Sequence, residues 1–533
     1  MAKPGDRSGL DEEGARAIFQ RLSNDRAPYI TRAEKNAQYT IPSLFPKASD
    51  NASTDYPTPY QSVGARGLNN LAAKLVLSTV PVGEPFHRLT ISEFDVKEQG
   101  AQTGEEGSIM DKAQVGLSMV ERIVTAHGEA SGLRPTASEL MKQLLVAGNG
   151  MINLPPGEAA TKLYRLSAYV VERDAVGAVL QTIALDKLAY VSLPKDLRDS
   201  LPQGDYEPNA LIEVYTHCYR DIDSEGWLEY QEVEGELVKG SENTYPIEAN
   251  PWIPIRLYKQ DGENYGRSFV EEYIGDLVSL ENISKSIVQF AIACSKILFL
   301  VKPGSSTSVR RVAKANSGDF VPGKKEDIEV FQMEKFADFQ IVEKVGKNIE
   351  QRLSFAFLLN SAVQRSGDRV TAEEIRYVSQ ELEATLGGVY SVLATEFQLP
   401  LVRRWLVDLQ ATGKIPDLPT EALKPQIITG VDAIGRGQDQ AKLSAFQAMI
   451  TPFIQRVSNR VDWDNLLLRS ANAAGLDPSG LILTDQQMQQ RAAQEGITQG
   501  MVQGGAAAGQ TAGAQMGAAA TDPEAVSAAL GGQ

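Results

Sequence analysis

The sequence predicts an α+β protein that is mainly α-helical. Several long segments carry apolar residues at the three- and four-residue spacing of one helix face. Residues 151–258 instead carry short runs of β-branched and aromatic residues separated by turn residues, which favours strands. Of the 533 residues, 42% are apolar and 23% are charged, which is typical of a folded protein. The length is sufficient for several domains or for one large subunit.

The first part of the chain is predicted to combine helices with irregular joints. Helices are expected over residues 11–24, 29–39, 61–77 and 108–125. Pro28 is expected to interrupt the first helix, and the proline-rich residues 41–59 are expected to form a long loop. A further helix is expected to open with a capping box at Thr136 and Glu139 and to end at Gly148.

A β-rich subdomain follows. Residues 169–171 and 179–183 are rich in β-branched side chains, and the turn sequence Asp-Ala-Val-Gly at 174–177 lies between them. This pattern predicts a hairpin. Residues 211–219 and 227–238 are also rich in β-branched and aromatic side chains, and they predict further strands.

Two long helices are predicted to bracket a compact module. Ser268 and Glu271 form a capping box, which opens a helix of about 30 residues and about 45 Å over residues 268–298. The module over residues 299–342 is expected to hold a short helix near 309–315. Short strands are expected at 297–301, 320–321, 328–331 and 339–342. The second long helix is expected over residues 343–359.

The remainder of the chain is predicted to be helical and then disordered. A polar loop at 360–370 precedes a long helix within residues 371–419, with bends at Gly387–Gly388 and at Pro400. A smaller helical unit is expected at 420–484. Gln, Ala and Gly dominate residues 485–533, which bury too little apolar surface to fold, so this tail is expected to be disordered.

The charge distribution singles out two groups of basic residues. The net charge is −16, which argues against a protein that coats nucleic acid. Between residues 302 and 325, six basic residues are opposed only by Asp319: Lys302, Arg310, Arg311, Lys314, Lys324 and Lys325. They form either a solvated loop surface or a basic rim that faces DNA or an acidic partner.

The second group is Arg365 and Arg369, on either side of Gly367 in the polar loop. Two interpretations are open. The arginines either project from a scaffold of two helices, or they pair locally with Asp368 or Glu373.

The sequence lacks the patterns of common catalytic and metal sites. The three histidines have no ligand spacing, and the two cysteines form no metal pair or disulfide framework, which favours a reducing compartment. The Glu pairs at 12–13, 271–272 and 373–374 fall in first helical turns, where negative charge is favourable. We therefore expect no enzyme activity, no cofactor and no metal.

One sequence comes close to a phosphate-binding loop. Residues 318–325 have its glycine and lysine spacing, but they lack the final Ser or Thr and carry Pro322 where a backbone amide is needed. The most apolar run, residues 287–301, is too short and too polar to span a bilayer. Residues 1–7 have no apolar core, so no signal peptide is expected.

Long sequence strings then identify a resemblance that covers nearly the whole chain. They lie at residues 24–29 (Asn-Asp-Arg-Ala-Pro-Tyr), 39–46 (Tyr-Thr-Ile-Pro-Ser-Leu-Phe-Pro), 51–55, 63–71, 354–357, 371–377, 386–390 and 435–437. With these strings the chain resembles the portal proteins, or head-to-tail connectors, of short-tailed (podovirus-type) phages that infect enteric bacteria.

The resemblance implies an elongated subunit of a ring of about twelve copies at one capsid vertex. Residues 1–267 would form the wing, 268–298 and 343–359 the stem, and 299–342 an α/β clip. Residues 360–370 would be the tunnel loop and 371–419 a long wing helix with its bend. The helical crown would be 420–484, and the tail 485–533.

The resemblance also implies a function in the virion. The ring would assemble in the host cytoplasm, nucleate the procapsid with a scaffolding protein, contact the major capsid protein and internal core proteins, and dock the terminase large subunit. It would later bind a tail adaptor and pass double-stranded DNA during ejection. Arg365 and Arg369 would face the DNA, and the six basic clip residues would dock the motor or the tail.

Two other classes of protein remain open at this stage. An ATP-driven DNA translocase would need the phosphate-binding loop that the sequence lacks. A capsid scaffold or internal virion structural protein would have no DNA channel.

Overall fold

The structure is a computed structural model in which the chain divides into two compact units, Met1–Gly435 and Arg436–Gln533. It describes residues 14–51, 53–81, 85–91, 106–157, 160–199, 201, 206–221, 226–294, 298–331, 336–359, 380–382, 384–415, 425–429, 445, 447–449 and 466–467. Every helix and strand given below lies in the first unit. The predicted tunnel loop, most of the predicted crown and the predicted tail lie outside the described residues.

Helices and strands are both abundant, and close to half of the described residues are helical, so the mixed α+β class is confirmed. The helices are α1 (Ala15–Gln38), α2 (Val63–Thr79), α3 (Glu106–Ala130), α4 (Leu133–Ala147), α5 (Lys195–Asp199), α6 (Phe269–Cys294), α7 (Val309–Val312), α8 (Phe336–Ala356), α9 (Val389–Leu393) and α10 (Leu399–Ala411).

The strands of the described residues form four antiparallel sheets. They are β1 (His87–Ile91), β2 (Asn149–Asn153), β3 (Lys162–Tyr164), β4 (Tyr169–Arg173), β5 (Val179–Ala189), β6 (Leu211–Asp221), β7 (Gly226–Val233), β8 (Glu236–Leu237), β9 (Asn243–Pro246), β10 (Trp252–Arg256), β11 (Leu298–Val301), β12 (Ile328–Phe331) and β13 (Pro425–Thr429). The largest sheet has the order β4-β5-β6-β7-β8, with β9 also on β7, and β10-β2-β3 form a second sheet. The predicted hairpin at 174–177 is confirmed, because β4 pairs with β5 and Gly177 adopts a φ of 92°.

Helix α1 is continuous, so the predicted break at Pro28 is wrong. Proline removes one backbone donor from a helix but does not end it when side chains on both sides are held by packing. Ile18 and Phe19 are buried before the proline, and Ala33 and Ala37 are buried after it. The loss of one hydrogen bond is therefore offset by apolar burial along the helix.

Helices α2 and α4 pack together at the centre of the main core. Leu71 and Leu75 of α2 and Leu140 and Leu144 of α4 are fully buried. The burial of each leucine contributes about 1.5–3 kcal/mol relative to exposure. This pair therefore provides a rigid base for the elements packed around it.

The predicted capping box at Thr136 is wrong. Helix α4 begins three residues earlier, at Leu133, after Gly132 in a left-handed conformation. The Thr136 hydroxyl donates to the Gly132 carbonyl oxygen (3.2 Å) and caps no amide. The predicted end at Gly148 is confirmed, and this glycine has a φ of 73°.

The predicted long wing helix is divided where the sequence has two glycines. Residues 380–382 and 384–386 are helical, and Gly387 and Gly388 then adopt φ values of 55° and 86°. A π-helical turn, Ala394–Gln398, joins α9 to α10. Pro400 lies two residues after the end of this turn. Its missing N–H cannot bond the carbonyl four residues earlier, which favours a local change of helical register.

The first residues of the predicted helical crown that the structure describes, Pro425–Thr429, form a strand. Strand β13 pairs antiparallel with β1, from His87 opposite Thr429 to Ile91 opposite Pro425. The prediction of helix is wrong for this segment. Ile427, Ile428 and Thr429 are β-branched, and their pairing with β1 forms a ladder that local sequence patterns do not reveal.

Candidate functional site: the helix pair and its basic excursion

The predicted start of the first long helix is confirmed at Ser268. Its hydroxyl oxygen accepts the backbone N–H of Glu271 (3.2 Å) and the side-chain amide of Asn36 (2.8 Å). The Glu271 carboxylate pairs with Arg267 (3.3 Å) and Arg32 (3.4 Å). The serine hydroxyl therefore caps the helix, and the carboxylate links it to neighbouring arginines.

Helices α6 and α8 pack against each other in an antiparallel arrangement. Asp276, near the start of α6, accepts a hydrogen bond from Arg352, near the end of α8 (2.8 Å). Further along, Ile283 faces Gly346 so closely that a Cβ on the glycine would lie 3.1 Å from the isoleucine Cγ2. The small residue lets the two helices approach each other.

The two ends of this helix pair differ in burial. At the base, Leu277 and Leu353 are fully buried. Towards the far end, Ile292 of α6 is 54% exposed and Ile341 of α8 is 66% exposed. The far end of the pair therefore presents apolar side chains that are more than half exposed.

The strand predicted at 320–321 is wrong, because these residues have no regular secondary structure. The strand predicted at 339–342 is also wrong, because α8 already begins at Phe336. The short apolar run Phe339-Gln-Ile-Val resembles a strand when it is considered alone. In the longer pattern, however, Phe339, Val342, Gly346, Ile349 and Leu353 follow each other at steps of three and four. The helical period therefore continues through the segment.

Residues 298–331 lie between the two helices and are called the excursion below. A short antiparallel ladder joins the two ends of this segment. Strand β11 pairs with β12, from Leu298 opposite Phe331 to Val301 opposite Ile328. The chain then turns through Pro303 and Gly304, where the N–H of Ser305 donates to the Lys302 carbonyl (3.1 Å) and Gly304 has a φ of 79°. Proline followed by glycine at these positions is typical of a type II turn.

A buried threonine organises the base of the excursion. The Thr307 hydroxyl donates to the Asp327 carboxylate (2.7 Å) and accepts the N–H of Lys324 (3.0 Å). The N–H of Lys302 donates to the carbonyl of Asp327 (3.0 Å). A Cβ on Gly323 would lie 2.7 Å from the Thr307 hydroxyl, so this close approach requires glycine. These contacts join the two ends of the loop.

The six basic residues of the excursion all lie at its surface. Those named in the sequence analysis are Lys302, Arg310, Arg311, Lys314, Lys324 and Lys325, and each is exposed. Within the part of the chain that the structure describes, none of the six forms an ion pair with a carboxylate. Their charges are therefore free to attract an anionic surface, as the second of the two interpretations, the basic rim, requires.

Exposed apolar side chains lie among these charges, and sequence reasoning missed them. Phe320 is fully exposed, and Val309 and Val312 of the short helix α7 are 53% and 40% exposed. The signal was available, because a phenylalanine and two valines occur in a loop of otherwise polar residues. The surface of the excursion is thus both basic and apolar, a composition suited to protein contacts.

The geometry at residues 318–325 differs from that of a phosphate-binding loop. Gly318 is in a turn with a φ of 100°. A 3₁₀ turn (Lys325–Asp327) and strand β12 follow, where a phosphate-binding loop would be followed by a helix. The helix N-terminus that would hold a phosphate is therefore replaced by a strand.

Arg365 and Arg369 lie outside the described residues, as do Asp368 and Glu373. Both interpretations of the arginine loop stay predictions. Among the residues that the structure does describe, no helix is long and apolar enough to cross a membrane, and no group of His, Cys, Asp and Glu side chains is arranged to hold a metal ion.

Comparison with known proteins gives matches over most of the chain. The model of the family described as bacteriophage head to tail connecting protein matches residues 12–482. The portal protein of Escherichia phage T7 is 54% identical over 501 residues, which cover 92% of this chain and 92% of that protein. The portal protein of Enterobacteria phage T3 is 52% identical over 504 residues, which cover 92% of this chain and 93% of that protein.

Solved structures match less well. The neck of an empty gene transfer agent particle shares 12% identity with a TM-score of 0.34, over 72% of this chain and 86% of that chain. The sequence comparisons alone therefore carry the family assignment.

The resemblance to phage portal proteins is thus confirmed by identity that extends well beyond short motifs. The family match spans both long helices, the excursion between them and the regions on either side. This chain belongs to the family of bacteriophage head-to-tail connecting proteins.

Proposed function

We propose that this chain is the subunit of a portal ring that conducts double-stranded DNA at one capsid vertex. The observation that carries the proposal is 54% identity to a portal protein over 92% of the chain. About twelve copies related by a rotation axis would close such a ring through repeated head-to-tail contacts. Within it, the described α6–α8 pair would be the stem and the excursion would be the clip.

The exposed apolar end of the helix pair supports subunit contacts. Val288 and Ile292 of α6, with Ile341 and Val345 of α8, are between 42% and 66% exposed. In a ring each subunit has two neighbours, and apolar side chains of this kind would be buried between them. The proposed stem would thus be completed by adjacent copies.

The acidic composition supports a channel through which DNA moves without tight binding. Affinity for DNA depends strongly on the number of phosphate–cation pairs, because each pair releases counterions. In a chain of net charge −16 the carboxylates outnumber the cations, and their repulsion of phosphates opposes such pairs. The DNA would therefore bind only weakly to the wall along most of the channel and could slide through it.

Arg365 and Arg369 are proposed as the exception, facing the DNA from the tunnel loop and helping to retain packaged DNA. The test is a double variant, Arg365→Ala with Arg369→Ala, in which DNA retention by filled particles is measured after heating. We expect the retained fraction to fall several-fold, because two phosphate contacts per subunit are lost around the ring. Retention equal to that of the parent would count strongly against this role.

The remaining partners follow the family's pattern of assembly. We propose that the ring nucleates the procapsid with a scaffolding protein, contacts the major capsid protein and the internal core proteins, and docks the terminase large subunit during packaging. A tail adaptor would then bind the clip. Assembly would occur in the host cytoplasm, and the ring would remain in the virion.

A further inference from the structure

Helix α8 ends in an unusual way. The N–H of Leu359 donates to the Ser354 carbonyl (2.8 Å) and that of Leu358 to the Phe355 carbonyl (3.1 Å). These are the two hydrogen bonds of a Schellman motif, in which the left-handed position is usually glycine. Here Leu358 occupies it, with a φ of 53°. A leucine in this conformation is strained and persists only when its surroundings hold it.

The end of α10 shows the same motif with the usual residue. The N–H of Lys414 donates to Leu409 (2.9 Å) and that of Gly413 to Gln410 (3.0 Å), and the left-handed residue is Gly413 with a φ of 67°. The two helix ends share one geometry. A leucine in the left-handed position, where the other helix has glycine, therefore needs additional stabilising contacts.

Helix α2 supplies those contacts. The Asn70 side-chain amide donates to the carbonyls of Phe357 and Leu358, both at 3.0 Å, and Lys74 Nζ donates to the Leu358 carbonyl at 3.4 Å. Phe357 is fully buried, and a Cβ on Gly67 would collide with its ring. The end of α8 is thus fixed directly on the backbone and side chains of α2.

Lys74 also reaches a residue on the other side of segment 360–379. Its Nζ lies 3.1 Å from a carboxylate oxygen of Glu381, and the two side chains are 7% and 21% exposed. An ammonium carries three donors, so one lysine can bind both the carbonyl at Leu358 and the carboxylate at Glu381. The two flanks of the segment therefore meet at a single, largely buried cation.

From this geometry we propose that Lys74 is a positioning residue for the segment that carries Arg365 and Arg369. By holding Leu358 and Glu381 together, it fixes where the segment leaves α8 and where it returns to the long wing helix. This inference deepens the proposed DNA contact and rests on it for its functional meaning. The positioning itself concerns only described residues.

The test uses Lys74→Met in the assembled full-length protein. Methionine keeps the length and apolar stem of the side chain but removes the contacts with the Leu358 carbonyl and the Glu381 carboxylate. The carboxylate that is left behind is 21% exposed, so water can solvate it. The readout is the rate of tryptic cleavage after Arg365 and Arg369, followed by mass spectrometry. We expect both rates to rise about tenfold, because the flanks at Leu358 and Glu381 open locally more often once Lys74 no longer holds them together.

Two comparisons make the readout specific. Lys347→Met removes an exposed lysine of α8 that forms an ion pair with Glu343 (2.7 Å), and it should leave both rates unchanged. Cleavage after the buried Arg404 reports general unfolding. Glu381→Gln weakens only the contact between Lys74 and residue 381, so it should raise the two cleavage rates by a smaller factor. When it is added to Lys74→Met, the rates should not rise further.

Unchanged cleavage after Arg365 and Arg369 in Lys74→Met rings would overturn the proposal. A parallel rise after Arg404 would also overturn it, because Lys74 would then support the fold in general. If Lys74→Met does not assemble, Glu381→Gln carries the test alone, and parental rates in that variant refute the proposal. Failure of the DNA-contact role is separate, since it is measured by DNA retention in the Arg365→Ala, Arg369→Ala variant.

Discussion

At the scale of single residues, Glu396 has a structural role that its sequence context does not show. It lies in the π-helical turn between α9 and α10. Its carboxylate accepts the backbone N–H and the Nε of Arg256, both at 3.1 Å, and lies 3.8 Å from Arg173. Burial lowers the pKa of Arg173 to about 10, and the nearby Glu396 opposes that shift. One carboxylate thus compensates two buried guanidinium groups.

Glu396→Gln is therefore predicted to destabilise the protein strongly. The amide would leave two arginines, whose side chains are 2% and 4% exposed, without a compensating charge. Loss of one partner from a buried ion pair costs about 3–5 kcal/mol. The measurement is chemical denaturation, compared with Glu343→Gln, which removes an exposed carboxylate of α8 and should leave the free energy of unfolding within experimental error. Equal stability of the two variants would contradict this account.

At the scale of elements, the excursion between α6 and α8 has an exposed surface that is both basic and apolar. Its loop is closed by Thr307 and Asp327 at the base, so exposed side chains can change without loss of the fold. Arg310 and Arg311 lie on the short helix α7 beside Val309 and Val312. Charge would guide an acidic partner to this surface, and the apolar side chains would add burial once the partner is bound.

We predict that Arg310→Glu with Arg311→Glu weakens binding of the terminase large subunit or of the tail adaptor about tenfold or more at low salt. The loss should shrink as ionic strength rises, because screening weakens exposed charges. Surface plasmon resonance on assembled rings measures both effects. The matched control is Lys35→Glu with Lys239→Glu, two exposed lysines outside the excursion. If both partners bind the two double variants equally well, the docking role should be abandoned.

Much of the element pattern could be predicted because it depends on local chemistry. The Ser268 cap, the hairpin closed at Gly177 and the break at Gly387 follow from hydroxyl capping and from the conformational freedom of glycine. The continuous helix through Pro28 could not be predicted in this way, since it depends on packing from both sides. The β1–β13 pair joins segments more than 300 residues apart, and such pairing leaves no local pattern.

The candidate site was predictable to a similar extent. The six basic residues were identified by charge counting alone, and all six lie on the surface of the excursion. The exposure of Phe320 was not predicted, because aromatic residues are more often buried. The contacts of Lys74 with Leu358 and Glu381 join three distant parts of the chain, so only the fold reveals them.

At the scale of the whole molecule, the proposed assembly is a ring of about twelve copies of this chain. The chain belongs to the connector family, and its α6–α8 pair leaves apolar side chains exposed where neighbouring copies would bind. A net charge of −16 per subunit would give the ring a strongly acidic character overall. Stability of the ring and free passage of DNA would thus depend on different surfaces of the same chain.

Electron microscopy of the purified full-length protein tests this claim most directly. The account predicts rings with a central hole, in which averaged end-on views show a rotational symmetry of about twelve. The hole should be wide enough for a DNA duplex. A population of compact monomers, rods or closed particles without a hole, under conditions in which the protein is folded, would contradict the proposal that this chain forms a DNA channel.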